Sequence, residues 1–253
     1  MKTTGKNFGF IVLLVLVFIV NSASANSANN VDISHFGNQA GSSLKVWGGG
    51  VEGNWIRGGV IQLEKTGGAG IGNFWKNGNI FAFCIELSEN SSFTPATYDI
   101  VNPDLTQKPA AFLGDVLGTK KTEYLKELWA RYYDPQWANK GYLNWDYNRK
   151  AEAFAGAVWE IVYQQLPKSP LGWDVTSDGT VGVLGFKCEY ADTKLANEWL
   201  RSLTGDGPKA NLMAFARYGN QDFLVEVPEP ATIVLLGLGT IALCRKKSNH
   251  KNK

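Results

Sequence analysis

Two apolar runs, Phe8 to Val20 and Ala231 to Cys244, stand near opposite ends of the chain and confine its globular part to the residues between them. The first follows Lys2 and Lys6, is interrupted only by Gly9, and leads into Ala23-Ser24-Ala25. A basic start, an apolar core and an A-x-A site read as a secretory signal peptide over residues 1–25, cut after Ala25 and handled by the Sec export machinery. The second run has 14 residues. At about 1.5 Å per residue a helix of that length reaches about 21 Å, against a hydrocarbon core of about 30 Å. Spanning with residues 231–244 therefore needs local thinning of the bilayer or help from neighbouring residues. Arg245, Lys246 and Lys247 follow the run, and the positive-inside rule puts them in the cytoplasm. Both ends thus place residues 26–227 outside the cytoplasmic membrane.

Just before the second run stands Val227-Pro228-Glu229-Pro230-Ala231-Thr232. The two prolines fix φ and remove two backbone donors, so neither helix nor sheet continues through them. The order Val-Pro-Glu-Pro, short apolar segment, Arg-Lys-Lys resembles the PEP-CTERM sorting signal. That resemblance implies processing by an exosortase, with Pro228, Glu229 and Pro230 as substrate residues and Arg245, Lys246 and Lys247 completing the signal. It implies a cell-surface or extracellular-matrix location among exopolysaccharide, with the C-terminal helix holding the chain in the membrane before processing. The sorting region is then residues 228–253.

Charge narrows the partners. With the seven cations of the two terminal segments set aside, residues 26–228 hold 18 cations against 22 acids, a net of −4. A mildly acidic domain lacks the electrostatic footprint of a nucleic-acid binder. Aromatic residues make up 12%, nine of them Trp, among 28 Gly. This suits a β-rich domain with tight turns, and most Trp belong in its core. Trp and Tyr left at the surface suit contact with carbohydrate, through a flat apolar face and a polar edge.

Strand-like runs appear at Leu44 to Trp47, Gly59 to Leu63, Ile80 to Leu87 and Tyr98 to Val101, with glycine turns at Gly48-Gly49-Gly50 and from Gly67 to Gly72. The spacing then turns helical. A helix over Thr122 to Tyr133 pairs Glu127 with Arg131 at i,i+4, and a second runs from Asn148 to Leu166, where Pro167 stops it. Strand character returns from Val181 to Cys188. A third helix, Thr193 to Leu203, takes Asp192 as N-cap and Gly205 as its stop, and Asp222 to Val227 is a closing strand. The expected class is α+β: an antiparallel β-sheet or sandwich core with an inserted helical part over about residues 119–170.

The segments Phe83-Cys84-Ile85-Glu86-Leu87 and Ala153 to Tyr163 together resemble bacterial thioester domains, as does the closing Asn220-Gln221-Asp222-Phe223-Leu224-Val225. In that family a strand cysteine is cross-linked to a glutamine that precedes a helical x-A-I-W segment. Here Cys84 matches the cysteine and Ala155 stands at the glutamine position. Alanine has no carboxamide for a thiol to attack, so Cys84 and Ala155 form a degenerate pair and the resemblance implies the fold without the thioester. Gln164 and Gln165 lie about 13–15 Å further along the helix. Cys84 is then either a buried apolar residue or one half of a disulfide with Cys188, which an exported protein permits.

Only His35 and His250 exist, so a Ser-His-Asp site would depend on His35 beside Ser34, and a conventional zinc site has too few ligands. No metal or cofactor is expected. Paired carboxylates, Glu86 with Glu89 or Glu152 with Glu160, are the remaining route to an enzyme, a glycan-acting one. The sequence reading is a non-enzymatic surface or matrix protein with a binding role, associated with exopolysaccharide. A structural matrix component without a specific ligand is its nearest alternative.

Overall fold

A computed structural model describes residues 28–106, 116–140, 143–177, 179 and 185–228. The signal-peptide site at Ala23 and Ala25, the residues Glu229 and Pro230, the apolar segment 231–244 and Arg245, Lys246 and Lys247 lie outside these residues. Among the described residues no helix is long and apolar enough to cross a membrane.

The class is α+β with an antiparallel β-sheet core, as expected, and of the two expected forms the structure has a single sheet closed into a ring instead of a sandwich. Strands β1 (Asn30–Gly48), β2 (Val51–Ala69), β3 (Gly78–Cys84), β4 (Ala96–Val101), β6 (Leu212–Arg217) and β7 (Asn220–Glu226) pair in the order β1-β2-β3-β7-β6-β4. A ladder from β4 back to β1, Asn30↔Asp99 to Ile33↔Ala96, closes the circuit. The short β5 (Phe186–Glu189) pairs with the other end of β1. Closure leaves few strand edges unpaired, which removes templates for edge-to-edge aggregation.

The strands β1 and β2 are 19 residues each, far longer than their sequence signals. Four register shifts along this hairpin let it bend and serve several neighbours at once. Gly41 and Gly59 face each other in the ladder with φ of +104° and +137°. A Cβ on either would fall 2.0 or 2.1 Å from a backbone oxygen of the facing strand, so both positions require glycine. The stretch from Gly67 was expected to be a hairpin turn. Instead β2 continues to Ala69, and Gly70–Phe74 forms a 3-10 turn.

Helices α1 (Thr119–Tyr132), α2 (Gln136–Lys140) and α3 (Trp145–Tyr163) fill the expected insertion, and α4 (Thr193–Ser202) joins them. The side chain of Asn144 caps α3 by accepting from Asp146 N and Tyr147 N. Asp192 caps α4, as expected, by accepting from Leu195 N. Glu127 and Arg131 pair at 2.8 Å, and the same buried carboxylate also accepts from Thr204 N and Gly205 N. That second role ties α1 to the loop after α4.

Helix α3 is buried from Ala153 to Tyr163. Its Ala-Gly-Ala segment allows close approach: Gly156 lies against the Cys188 sulfur, which a Cβ there would meet at 3.3 Å. Phe83, Trp129, Trp137 and Phe154 pack edge-on or tilted, with ring centroids 4.7–5.8 Å apart, and form the seam between ring and helices.

Candidate functional site

Strand β3 ends at Cys84, and the backbone beyond it takes one further partner on β7 and then a side chain of α3. Ile85 N donates to Asp222 O, and Leu87 N to the Tyr163 hydroxyl. Two side chains one turn apart on α3 complete the clamp. Trp159 Nε1 donates to Cys84 O at 2.9 Å, and the Tyr163 hydroxyl donates to Ile85 O at 3.2 Å. The helical segment singled out in the sequence therefore serves to hold the cysteine loop in place.

Cys84 pairs in register with Phe223 of β7, which brings Gln221 alongside the thiol. Gln221 Nε2 lies 2.8 Å from Cys84 Sγ and donates also to Glu86 O at 3.2 Å, while the thiol donates to Glu86 O at 2.8 Å. Cys84 is 4% exposed. Burial pushes its thiol up to about 12, and the charges of Glu86 and Asp222 push the same way. Glu86 and Asp222 are themselves buried. Burial, then the Asp222 and Glu89 charges, raises the Glu86 carboxyl to about 8. Burial and the Glu89 charge raise Asp222 to about 7, although Arg217 N donates to it at 2.9 Å. The site thus gathers a neutral thiol, a carboxamide and two carboxyls that exchange protons near neutrality.

Gln221 also lines a cavity of about 240 Å³, together with His35, Trp55, Arg57, Glu89 and Ser91. His35, the histidine on which a Ser-His-Asp site would depend, is not an exposed residue. It lies within β1, half-buried, with Nδ1 bonded to the Ser91 hydroxyl and its ring stacked on Phe93. Burial lowers its pKa.

The other sequence candidates separate. Ala155 is 2% exposed on α3, within the tight Ala-Gly-Ala packing, and is a core position. Gln164 accepts from Phe186 N and so supports β5. Cys84 and Cys188 are free thiols rather than a bridge. Each is sequestered by its own surroundings: Cys84 by Glu86 and Gln221, Cys188 by β1 and the face of α3 at Gly156. Glu160 is buried and accepts from Asp174 N, whereas Glu152 lines an open groove. Among the described residues no three His, Cys, Asp or Glu converge as metal ligands would.

The residue that sequence reasoning missed is Gln221. It stands in the segment Asn220 to Val225, on a strand and not on the helix that carries Ala155.

At the exit from β7, Trp75 Nε1 donates to Glu226 O, Trp129 Nε1 to Glu226 Oε2, and Val227 N to Asn211 O. Tertiary structure therefore holds the backbone up to Val227, one residue before Pro228. Residues 226–248 match the PEP-CTERM protein-sorting motif. The chain is an exosortase-targeted, exported protein directed to the cell surface. The PEP-CTERM motif begins on the last residue of β7, so the sorting signal follows the folded domain without a linker. No similar chain was found among curated proteins or among solved structures.

Proposed function

We propose that this PEP-CTERM protein is a surface or matrix attachment module whose reactive element is an internal thioester between Cys84 and Gln221. The observation that carries the reading is the 2.8 Å approach of the Gln221 amide to the Cys84 sulfur. The sulfur attacks the Gln221 carboxamide carbon, the C–N bond breaks, and ammonia leaves with the thiol proton. Glu86 or Asp222 relays that proton, taking it from sulfur and returning it to the departing nitrogen. All participants begin and end neutral, which suits a buried site. No oxidant or cofactor is needed.

A thioester stores an acyl group for a partner nucleophile. An amine or hydroxyl that enters the cavity beside Gln221 attacks the carbonyl, the C–S bond breaks, and Cys84 recovers its proton. The partner is left joined to the Gln221 side chain by an amide or ester. Exopolysaccharide, the partner expected from the sequence, offers such groups. The role is attachment, with no turnover of substrate.

Intact mass of the chain from producing cells tests this. The expected mass is lower than the sequence mass of the same mature form by one ammonia. The deficit disappears in Cys84→Ala and in Gln221→Ala, and methylamine adds its own mass to the ammonia-deficient form. A full mass in the wild type, with Cys84 alkylated on denaturation, overturns the reading.

A further inference from the structure

A second concavity, of about 610 Å³, lies between the first turn of α3 and the start of α4, and its lining includes Trp145, Asn148, Arg149, Glu152, Tyr190 and Asp192. Two large aromatic side chains flank it, both turned to solvent: Trp145 is 76% exposed and Tyr190 66% exposed. Neither orientation is left to chance. Among the described residues Tyr190 is the one non-glycine with positive φ, at +69°. That conformation is unfavourable for a side chain with a Cβ and is kept where the surroundings enforce it. Here it sets the ring against exposed Trp55, with centroids 4.9 Å apart. Trp145 lies under the Arg149 guanidinium, 5.9 Å from the ring centroid, and Arg149 is pinned by Asp146 and Asp192.

Between the rings the groups are polar and oriented. Asn148 spends its carbonyl on Gly41 N, which leaves its amide to donate. Glu152 is half-buried, and among the described residues no cation lies within ion-pair distance of its carboxylate. Two flat apolar platforms beside an amide donor and a carboxylate acceptor match the chemistry of a pyranose, which has an apolar C–H face and a rim of hydroxyls.

We infer that this groove is a binding site for an uncharged glycan chain, stacked on Trp145 and Tyr190, with its hydroxyls bonded by Glu152 and Asn148. An acidic chain is disfavoured, because Asp146, Glu152 and Asp192 outnumber Arg149 and Lys150 around the groove, and both cations are already paired. Trp55 extends the surface: it packs on Tyr190 with the rings tilted by 35° and also lines the cavity over Gln221. A glycan held in the groove can therefore run toward that cavity. This gives the attachment reading a partner class, although binding itself needs no thioester.

The test uses the full chain in a detergent without a sugar headgroup, titrated calorimetrically with neutral hexasaccharides (cello-, malto-, manno- and chitohexaose) and with hexagalacturonate. At least one neutral probe binds, affinity falls roughly tenfold in Trp145→Ala and in Tyr190→Gly, and hexagalacturonate does not bind. Tyr190→Gly removes the ring while relieving the backbone, which guards against a folding defect. Cys84→Ala binds like the wild type, so failure of the thioester and failure of the groove are separable. Absence of binding by every neutral probe, unchanged affinity in both aromatic variants, or preference for hexagalacturonate overturns the inference.

Discussion

The Gln221 amide nitrogen stands 2.8 Å from the Cys84 sulfur although 137 positions separate the two residues in the chain. Strand pairing between β3 and β7 makes the approach, and Trp159 and Tyr163 of α3 hold the loop that receives it. Neither residue could be placed beside the other by local spacing.

A covalent link over that separation restricts the unfolded chain, by loop-closure entropy, to an extent worth up to about 5 kcal/mol. Cys84→Ser and Gln221→Glu should each lower Tm by a similar amount, and the double variant should melt no lower than the worse single one. Additive losses, measured by calorimetry, would show two independent packing defects and no bond between the positions.

Removing the Tyr163 hydroxyl leaves Leu87 N without its acceptor and Ile85 O without its donor, both in the buried clamp. Tyr163→Phe is expected to destabilise by about 1–3 kcal/mol and to slow loss of ammonia, because the cysteine loop loosens. Denaturant unfolding reports the first effect and the mass of freshly refolded protein over time the second.

The two buried carboxyls make stability depend on pH. Glu86 and Asp222 rise on folding from 4.5 and 3.8 to about 8 and about 7. A raised acid holds its proton more tightly when folded, so its stabilisation is complete below the unfolded pKa and is lost as pH climbs to the folded value. His35 acts in the opposite direction: burial lowers its pKa from 6.5, so it subtracts stability as pH falls below 6.5. The informative quantity is therefore the difference between wild type and Glu86→Gln. Relative to the variant, the wild type should lose Tm steadily from about pH 4.5 to about pH 8. A difference that stays level across that window would mean Glu86 is not buried as described.

Because Val227 N is bonded to Asn211 O and Glu226 to two tryptophans, processing near the Pro-Glu-Pro should leave the domain intact. The mature protein should begin near Asn26, end near Pro230 and melt as the unprocessed chain does. Replacing Pro228, Glu229 and Pro230 with alanine should leave the C-terminal peptide in place, as read by terminal-peptide mass spectrometry.

The sequence by itself determined the address and the local elements. The Pro-Glu-Pro motif with the basic end after it is a contiguous pattern, and the cap Asp192 and the pair Glu127–Arg131, both legible in the sequence, act within one or two turns, as does the cap Asn144. Tertiary structure alone decided the ring and the site. The length of β1 and β2 depends on which strands they meet along a hairpin broken by four register shifts. Cys84 and Cys188 stayed apart for the same reason, since the cysteines alone do not specify their neighbours. Ala155 looked like a lost reactive position, yet the packing of α3 makes it a core residue, and the carboxamide beside the thiol arrives on a strand near the far end of the domain. Proximity between distant residues is set by pairing register and layer packing, and neither is encoded in any short stretch of the chain.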